Sequence, residues 1–293
     1  MSQAPSPSAD DRFVRPEGDA LRCFLCPHRC LLPPGGSGFC RVRRNEGGRL
    51  ASRADGFPAA IQDDPIEKKP LLHFLPGTRT FSCGTYGCNF RCANCQNDEL
   101  SRGLPPGGMR RIAPEDFVAM AVARGCRSVA FTYNEPTVWA GYAMDIALAA
   151  HGAGLATVLV SNGYITREAA EELFPLIDAA NFDVKSGDPA FYRQICGGGL
   201  EPVLEAVAFF RSLGRHLEIT NLLIPGRNDS DRQVEQLLDR LEPVIDKSVP
   251  LHFSRFFPQC ELRHLPPTPP ERVHAACAAA RLRGYRYVHA GNL

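Results

Sequence analysis

The sequence runs to 293 residues, enough for one large domain or two modest ones with a real core. Hydrophobic residues make up 44% and charged residues 22%, which excludes wholesale disorder, and 33 basic against 32 acidic side chains leave a formal charge of +1. That balance speaks against broad nucleic-acid or membrane binding, and neither a long apolar run nor an apolar leader appears, so a cytoplasmic chain is expected.

In chain order, residues 1–20 are rich in Ser, Pro and Asp and predict a disordered tail. Residues 21–77 form a Cys-rich N-terminal lobe in which Cys23, Cys26, Cys30 and Cys40 stand among Gly and Pro. From residue 78 to 293 the pattern changes to short β-branched runs alternating with longer amphipathic stretches. Strands are predicted at 79–84, 128–133, 155–160, 180–184, 216–223 and 250–256, with a weaker one at 285–289. Helices are predicted near 114–124, 138–151, 166–173, 201–213, 230–240 and 270–283. Pro114 with Glu115, Thr166 with Glu168 and Ser230 with Asp231 suit first helical turns. Six strand-then-helix units predict an α/β fold with a parallel sheet, either doubly wound or a barrel. Nearly every predicted strand ends in polar or special residues, and convergence of such ends on one mouth favours a partial parallel (β/α)6, TIM-like barrel.

Twelve cysteines in a reducing compartment do not read as six disulfides, and their early clustering at short spacings is that of metal ligands. Cys88, Cys92 and Cys95, in the run CGTYGCNFRCANCQNDELS (83–101), put three thiolates on one loop after the first barrel strand. Three soft ligands leave one position of a metal or cluster unfilled, as an open catalytic site requires. With Cys83 as a fourth ligand the same loop would suit zinc, and spacing alone leaves both readings open.

The Cys-x3-Cys-x2-Cys loop and the later strand ends resemble the radical S-adenosylmethionine (SAM) superfamily. The resemblance implies that Cys88, Cys92 and Cys95 hold a [4Fe–4S] cluster whose open iron chelates SAM, and that reductive cleavage releases a 5′-deoxyadenosyl radical. It gives Asn134-Glu135-Pro136 to the SAM amino group, with Tyr133 beside it. Ser161-Asn162-Gly163 falls to the methionine moiety, Asp183 and Lys185 to its carboxylate, Asn221 to the adenosyl part, and His252 to the same mouth. The runs 65–98, 183–205, 218–230, 250–258 and 266–273 narrow the resemblance. They are similar to the pyruvate-formate-lyase-activating-like branch, and within it to the radical SAM enzymes of the AmmeMemoRadiSam system. One position departs: the residue before the third cluster cysteine, usually aromatic beside the adenine, is Asn94. That weakens adenine binding or passes the role to Phe90 or Tyr133.

The first cysteine group admits structural zinc, a second iron–sulfur cluster, or an unmetallated thiol set, with His28 a minor ligand candidate. Lys68-Lys69 reads as a solvated charge pair or as a carboxylate anchor. Cys196 and His252 are the catalytic candidates, Cys196 either as a mobile thiol before Gly197-Gly198-Gly199 or as a plain buried cysteine. The leading function is hydrogen abstraction from a protein or small-molecule substrate, with an electron donor such as flavodoxin or ferredoxin and neither nucleic acid nor membrane as partner. The alternatives are transfer of the 3-amino-3-carboxypropyl group of SAM to an acceptor, trivalent arsenic among them, and a non-catalytic zinc-stabilised binding protein.

Overall fold

The computed structural model describes residues 12–293. The chain first forms a small lobe of antiparallel pairs: β1 (Val14–Glu17), β2 (Ala20–Cys23) and β3 (Leu31–Leu32) in one sheet, β4 (Arg43–Glu46) and β5 (Arg49–Ser52) in another. Gly47 and Gly48 both take positive φ, 61° and 80°, the type I′ geometry that matches the twist of a two-residue hairpin. The tail expected over residues 1–20 lies outside the described residues as far as residue 11, and from Val14 the expectation is corrected. Val14–Glu17 pairs with Ala20–Cys23 around Gly18, and Phe13 is buried beside them. The polar composition of the window hid this short hairpin.

The main sheet has eight strands in the order β13-β12-β11-β10-β9-β8-β7-β6. Its members are β6 (Ala60–Pro65), β7 (Arg79–Gly84), β8 (Ser128–Phe131), β9 (Ala156–Ser161), β10 (Ala179–Asp183), β11 (His216–Leu223), β12 (Leu251–Arg255) and β13 (Val288–Gly291). All neighbours from β7 to β13 are parallel, and β6 closes one edge antiparallel to β7. The fold is the expected α/β partial barrel, open between β6 and β13, with β6 a strand that its Gln-Asp-Asp centre concealed. Because β6 precedes residue 78, the main sheet begins inside the stretch read as lobe.

The helices are α1 (Asp98–Arg102), α2 (Pro114–Ala123), α3 (Ala140–Gly152), α4 (Arg167–Leu173), α5 (Pro189–Phe191), α6 (Glu201–Ser212), α7 (Asp231–Leu241) and α8 (Pro270–Leu282). α5 runs on into a wider π-turn over Tyr192–Cys196. The expected starts are used: the Thr166 side chain accepts from the Ala169 amide, and Ser230 with Gln233 forms a reciprocal capping box. α7 buries Val234, Leu237, Leu238 and Leu241, the helical spacing of one apolar face. Among the described residues no helix is long and apolar enough to cross a membrane.

Strand alternation divides the core in two. Val129, Phe131, Leu159, Phe182, Leu217, Ile219 and Phe253 face the helices in one large cluster. Ala130, Val158 and Ala179 face the other way, onto Ile66 and Leu71 from the connection between β6 and β7. That connection crosses the end where the parallel strands begin. Its Pro70 carbonyl accepts from Asn181, and its Leu72 and His73 amides donate to Glu218. One end of the barrel is thereby plugged, and the strand C-termini are left to build a site.

Candidate active site at the strand C-termini

The loop after β7 carries Cys88, Cys92 and Cys95. Asn134, just past β8, fixes its start: Oδ1 accepts from the Thr85 amide at 3.0 Å and from Trp139 Nε1 at 3.2 Å, while Nδ2 donates to the Gly87 carbonyl at 2.8 Å. Asn134 is thus committed to holding the loop. Farther on, Arg91 and Ala93 donate their amides to the carbonyls of Cys196 and Ile195, at 2.7 and 2.9 Å. Cys196 and its glycine run therefore clamp the loop, and close approach explains Gly198, on which a Cβ would lie 2.3 Å from Phe90 Cε1, while Gly197 has a positive φ of 75°.

Glu135 is the centre of the next layer. Its Oε1 accepts from the Thr137 amide, the Thr137 hydroxyl and the Ser161 hydroxyl, at 3.0, 2.7 and 2.8 Å. Its Oε2 accepts from the Asn162 amide at 2.9 Å. Burial pushes the carboxyl up, against these bonds, which favour the ionised form. Ser161 ends β9 and, with Asn162 just past it, meets Glu135 directly, while the Gly163 amide donates to the Ser161 hydroxyl at 3.0 Å. Asn162 Nδ2 donates to Asn89 Oδ1 at 2.9 Å and lies 3.8 Å from Cys88 Sγ, so the ends of β8 and β9 reach the cysteine loop. Gly163 has φ +69°, in the left-handed region.

Asp183 ends β10 and pairs with Lys185, two residues beyond it, at 3.1 Å. Burial works against the Lys185 charge, but Asp183, Cys92 and Cys196 outweigh it and raise its pKa. The three loop thiols differ. Cys92 is lowered, first by a hydrogen bond from Cys196 and then, against burial, by the Lys185 ammonium. Cys88 is pushed up by burial and by the Glu135 carboxylate, and Cys95 by burial, with Ser101 Oγ 3.4 Å away. Cys196 therefore sits beside Cys92 and is fully buried.

Other sequence candidates lie deeper or elsewhere. Tyr133 is left-handed at φ 69°, which stops β8 short of the expected residue 133. Its hydroxyl meets Asp64 and Lys69 at 3.2 and 3.3 Å, and the Lys69 ammonium stands 4.6 Å from its ring. Lys69 is thus buried, whereas its neighbour Lys68 is exposed. Asn221 donates to the Val184 carbonyl at 2.8 Å, and its buried Oδ1 has no protein partner. Asn94 is buried with its Oδ1 likewise unpartnered, and Phe90 is packed against Tyr164 and Tyr192. His252, expected at the end of the sixth strand, is the second residue of β12 and binds Glu218 at 2.6 Å. Its ring turns toward the strand starts because a buried carboxylate lies there. Sequence reading missed Asp64 and Glu218, charged residues inside otherwise strand-like runs; Lys69, left open there between a solvated charge and a carboxylate anchor, is buried and pairs with Asp64 at 3.0 Å.

Among the described residues no three His, Cys, Asp or Glu side chains are already drawn together as metal ligands. The chemistry of the donor set nonetheless fits a three-thiolate cluster. Three cysteines share one loop within electrostatic reach of one another, and the Phe90 amide donates to Cys88 Sγ at 3.3 Å. In the N-terminal lobe Cys23, Cys26, Cys30 and Cys40 are free thiols around one small cavity. His28 is turned away from that cavity, donating Nε2–H to the Asn89 carbonyl at 2.8 Å.

Comparison with known proteins agrees with this layout. The model of the radical SAM superfamily matches residues 83–241. An uncharacterized protein of Methanocaldococcus jannaschii is 38% identical over 283 residues, 96% of this chain and 84% of that protein. The crystal structure of Streptococcus suis SuiB bound to S-adenosylmethionine is similar with a TM-score of 0.55 and 15% identity, over 71% of this chain and 48% of SuiB. This chain therefore spans about half the length of SuiB. A radical SAM methyltransferase from Sphaerobacter thermophilus is similar with a TM-score of 0.55 and 16% identity, over 74% of this chain and 67% of that one. At such identities the two structures speak for the fold alone.

Proposed function

The chain belongs to the radical SAM superfamily, and we propose that it uses a [4Fe–4S] cluster on Cys88, Cys92 and Cys95 to cleave SAM for hydrogen abstraction from a protein or small-molecule substrate. When bound, the cluster and SAM together supply a 5′-deoxyadenosyl radical. The observation that carries the reading is convergence: the Glu135–Ser161–Asn162 network reaches Cys88, and the Asp183–Lys185 pair faces Cys92.

The chain's own residues divide the work. Glu135 and the Ser161-Asn162-Gly163 turn offer a buried acceptor and a shaped backbone to the SAM amino and methionine groups. Lys185 offers a cation to its carboxylate, with Asp183 keeping that cation charged. The unpartnered oxygens of Asn94 and Asn221 are acceptors available to the adenosyl part. Asn134 holds the loop, and Tyr133 with Lys69 and Asp64 forms the polar wall below it. Excluding water from such a site protects a reactive intermediate from quenching.

The resemblance of the runs 65–98, 183–205 and 218–230 supports a reading in the activating-enzyme-like branch and with the AmmeMemoRadiSam system. A cytoplasmic setting and a flavodoxin or ferredoxin donor belong to the same proposal. Anaerobic reconstitution tests it: about four irons per catalytic cluster and a reduced EPR signal that shifts on adding SAM are expected. Absence of both would overturn it. Product analysis decides the chemistry. 5′-Deoxyadenosine is expected, whereas methylthioadenosine would replace hydrogen abstraction with transfer of the 3-amino-3-carboxypropyl group.

A further inference from the structure

We propose that Cys23, Cys26, Cys30 and Cys40 bind one zinc ion, and that this ion braces the N-terminal lobe against the Cys88–Cys95 loop. The four thiols line a single cavity of about 20 Å³, together with Leu25, Phe39, Arg43 and Val138. A space of that size holds a single water-sized body. It suits one ion with Zn–S bonds of about 2.3 Å better than a four-iron cubane. Size therefore favours zinc over the second cluster that spacing left open.

Hydrogen bonding separates metal ligation from a merely buried thiol set. Every one of the four sulfurs faces a backbone amide: Leu25 at Cys23, His28 at Cys26, Phe39 at Cys30 (3.4 Å), and Val42 with Arg43 at Cys40. Amide donors stabilise negative sulfur, and a neutral buried cysteine behaves as a small hydrophobe that needs none. Charge agrees. Four thiolates on a divalent ion carry net negative charge, and the buried Arg43 guanidinium stands in the cavity wall, held by Nε to the Val138 carbonyl at 2.6 Å. The sulfurs ring the cavity without yet closing on a point. Closing the tetrahedron takes movement of the sulfurs onto one point and release of their protons.

The bracing follows from what lies between the ligands. His28, between Cys26 and Cys30, donates to the Asn89 carbonyl and stacks on Phe39 at 4.2 Å. On the other side Gly87 lies so close to Cys40 that a Cβ would meet its carbonyl at 2.7 Å. Fixing the four cysteines thus fixes two contacts on the loop that carries Cys88.

The site is independent of the cluster, so the test removes the cluster. In the full chain with Cys88→Ala, Cys92→Ala and Cys95→Ala, about one zinc per chain is expected by elemental analysis. Cobalt(II) exchanged into it should show tetrahedral ligand-field and thiolate charge-transfer bands. Adding Cys30→Ser should lower zinc retention by roughly tenfold or more. If that variant does not fold, the cobalt spectrum decides; if the triple variant does not, the unaltered chain reconstituted with iron, so that the loop thiols are occupied, gives the same zinc count. Absence of both zinc and cobalt bands, or iron with equimolar sulfide in the triple variant, overturns the proposal. The bracing is read separately, in the unaltered reconstituted chain: chelating the zinc should speed iron loss severalfold, and an unchanged rate overturns it.

Discussion

Glu135 shows how much one residue can be asked to do. Its two oxygens accept four hydrogen bonds from residues at the ends of two different strands, in a place where water does not reach. An amide cannot reproduce this. In Glu135→Gln one terminal atom becomes a donor, and it must face either the Asn162 amide or the three donors at Oε1. A buried donor set against donors costs about 1–3 kcal/mol. Glu135→Gln is therefore expected to lower the unfolding free energy by that amount and to weaken SAM binding by roughly tenfold or more, since a fully buried charged acceptor is lost. Denaturant titration and equilibrium SAM binding to the reconstituted chain measure the two. Unchanged binding would remove Glu135 from the SAM site. The position of Glu135 at a strand end was legible in the sequence. The commitment of its neighbour Asn134 to Thr85 and Gly87 was not, because it depends on a loop that lies about fifty residues earlier and packs back only in three dimensions.

At the scale of elements, the loop of Cys88, Cys92 and Cys95 is a segment held from outside. The turn Tyr192–Cys196 gives it two backbone hydrogen bonds, and Gly198 seats Phe90. Gly198→Ala would push a methyl into that ring. Overpacking of this kind costs typically about 1–3 kcal/mol. Since the strain falls on the clamp, the reconstituted variant is expected to lose iron on gel filtration while its far-UV circular dichroism stays that of the parent. Full iron retention with parental stability would show that the clamp is slack. The strand and helix rhythm from residue 79 onward was legible because caps, Pro at first turns and alternation agreed on the same answer. The lobe was less so. Its strands are two to four residues long, and β6 carries Gln62, Asp63 and Asp64 at its centre. At that length periodicity carries almost no signal. The glycine run after Cys196 left a mobile thiol and a plain buried cysteine both open, and the burial of Cys196 with the close packing of Gly198 on Phe90 accords with the second.

Over the whole molecule, an open barrel must fill the end it does not use. Here the connection between β6 and β7 does so, and Glu218 on β11 is its anchor. It accepts from the Leu72 and His73 amides, from His216 at 2.9 Å and from His252 at 2.6 Å. His289 stacks on His252 and meets His73 at 2.8 Å, which ties β13 to the same plug. The histidines thus form a brace where the strands begin, opposite the mouth that sequence reading gave to His252. Burial works to raise the Glu218 carboxyl, but the histidines and the His73 amide outweigh it and bring it down from 4.5 to about 2. A carboxylate depressed in the folded state stabilises above its unfolded pKa, and that contribution is lost as pH falls through the folded value. The depression corresponds to about 3 kcal/mol at neutral pH. Glu218→Gln is therefore expected to be less stable by about 2–3 kcal/mol near pH 7, with the gap to the parent shrinking between about pH 4.5 and pH 2. Urea midpoints of both proteins across that range measure it. A gap that stays constant down to about pH 2 would mean that Glu218 acts by packing and neutral hydrogen bonds. The plug would then owe its hold to Leu71 and Ile66 in the inner core rather than to charge.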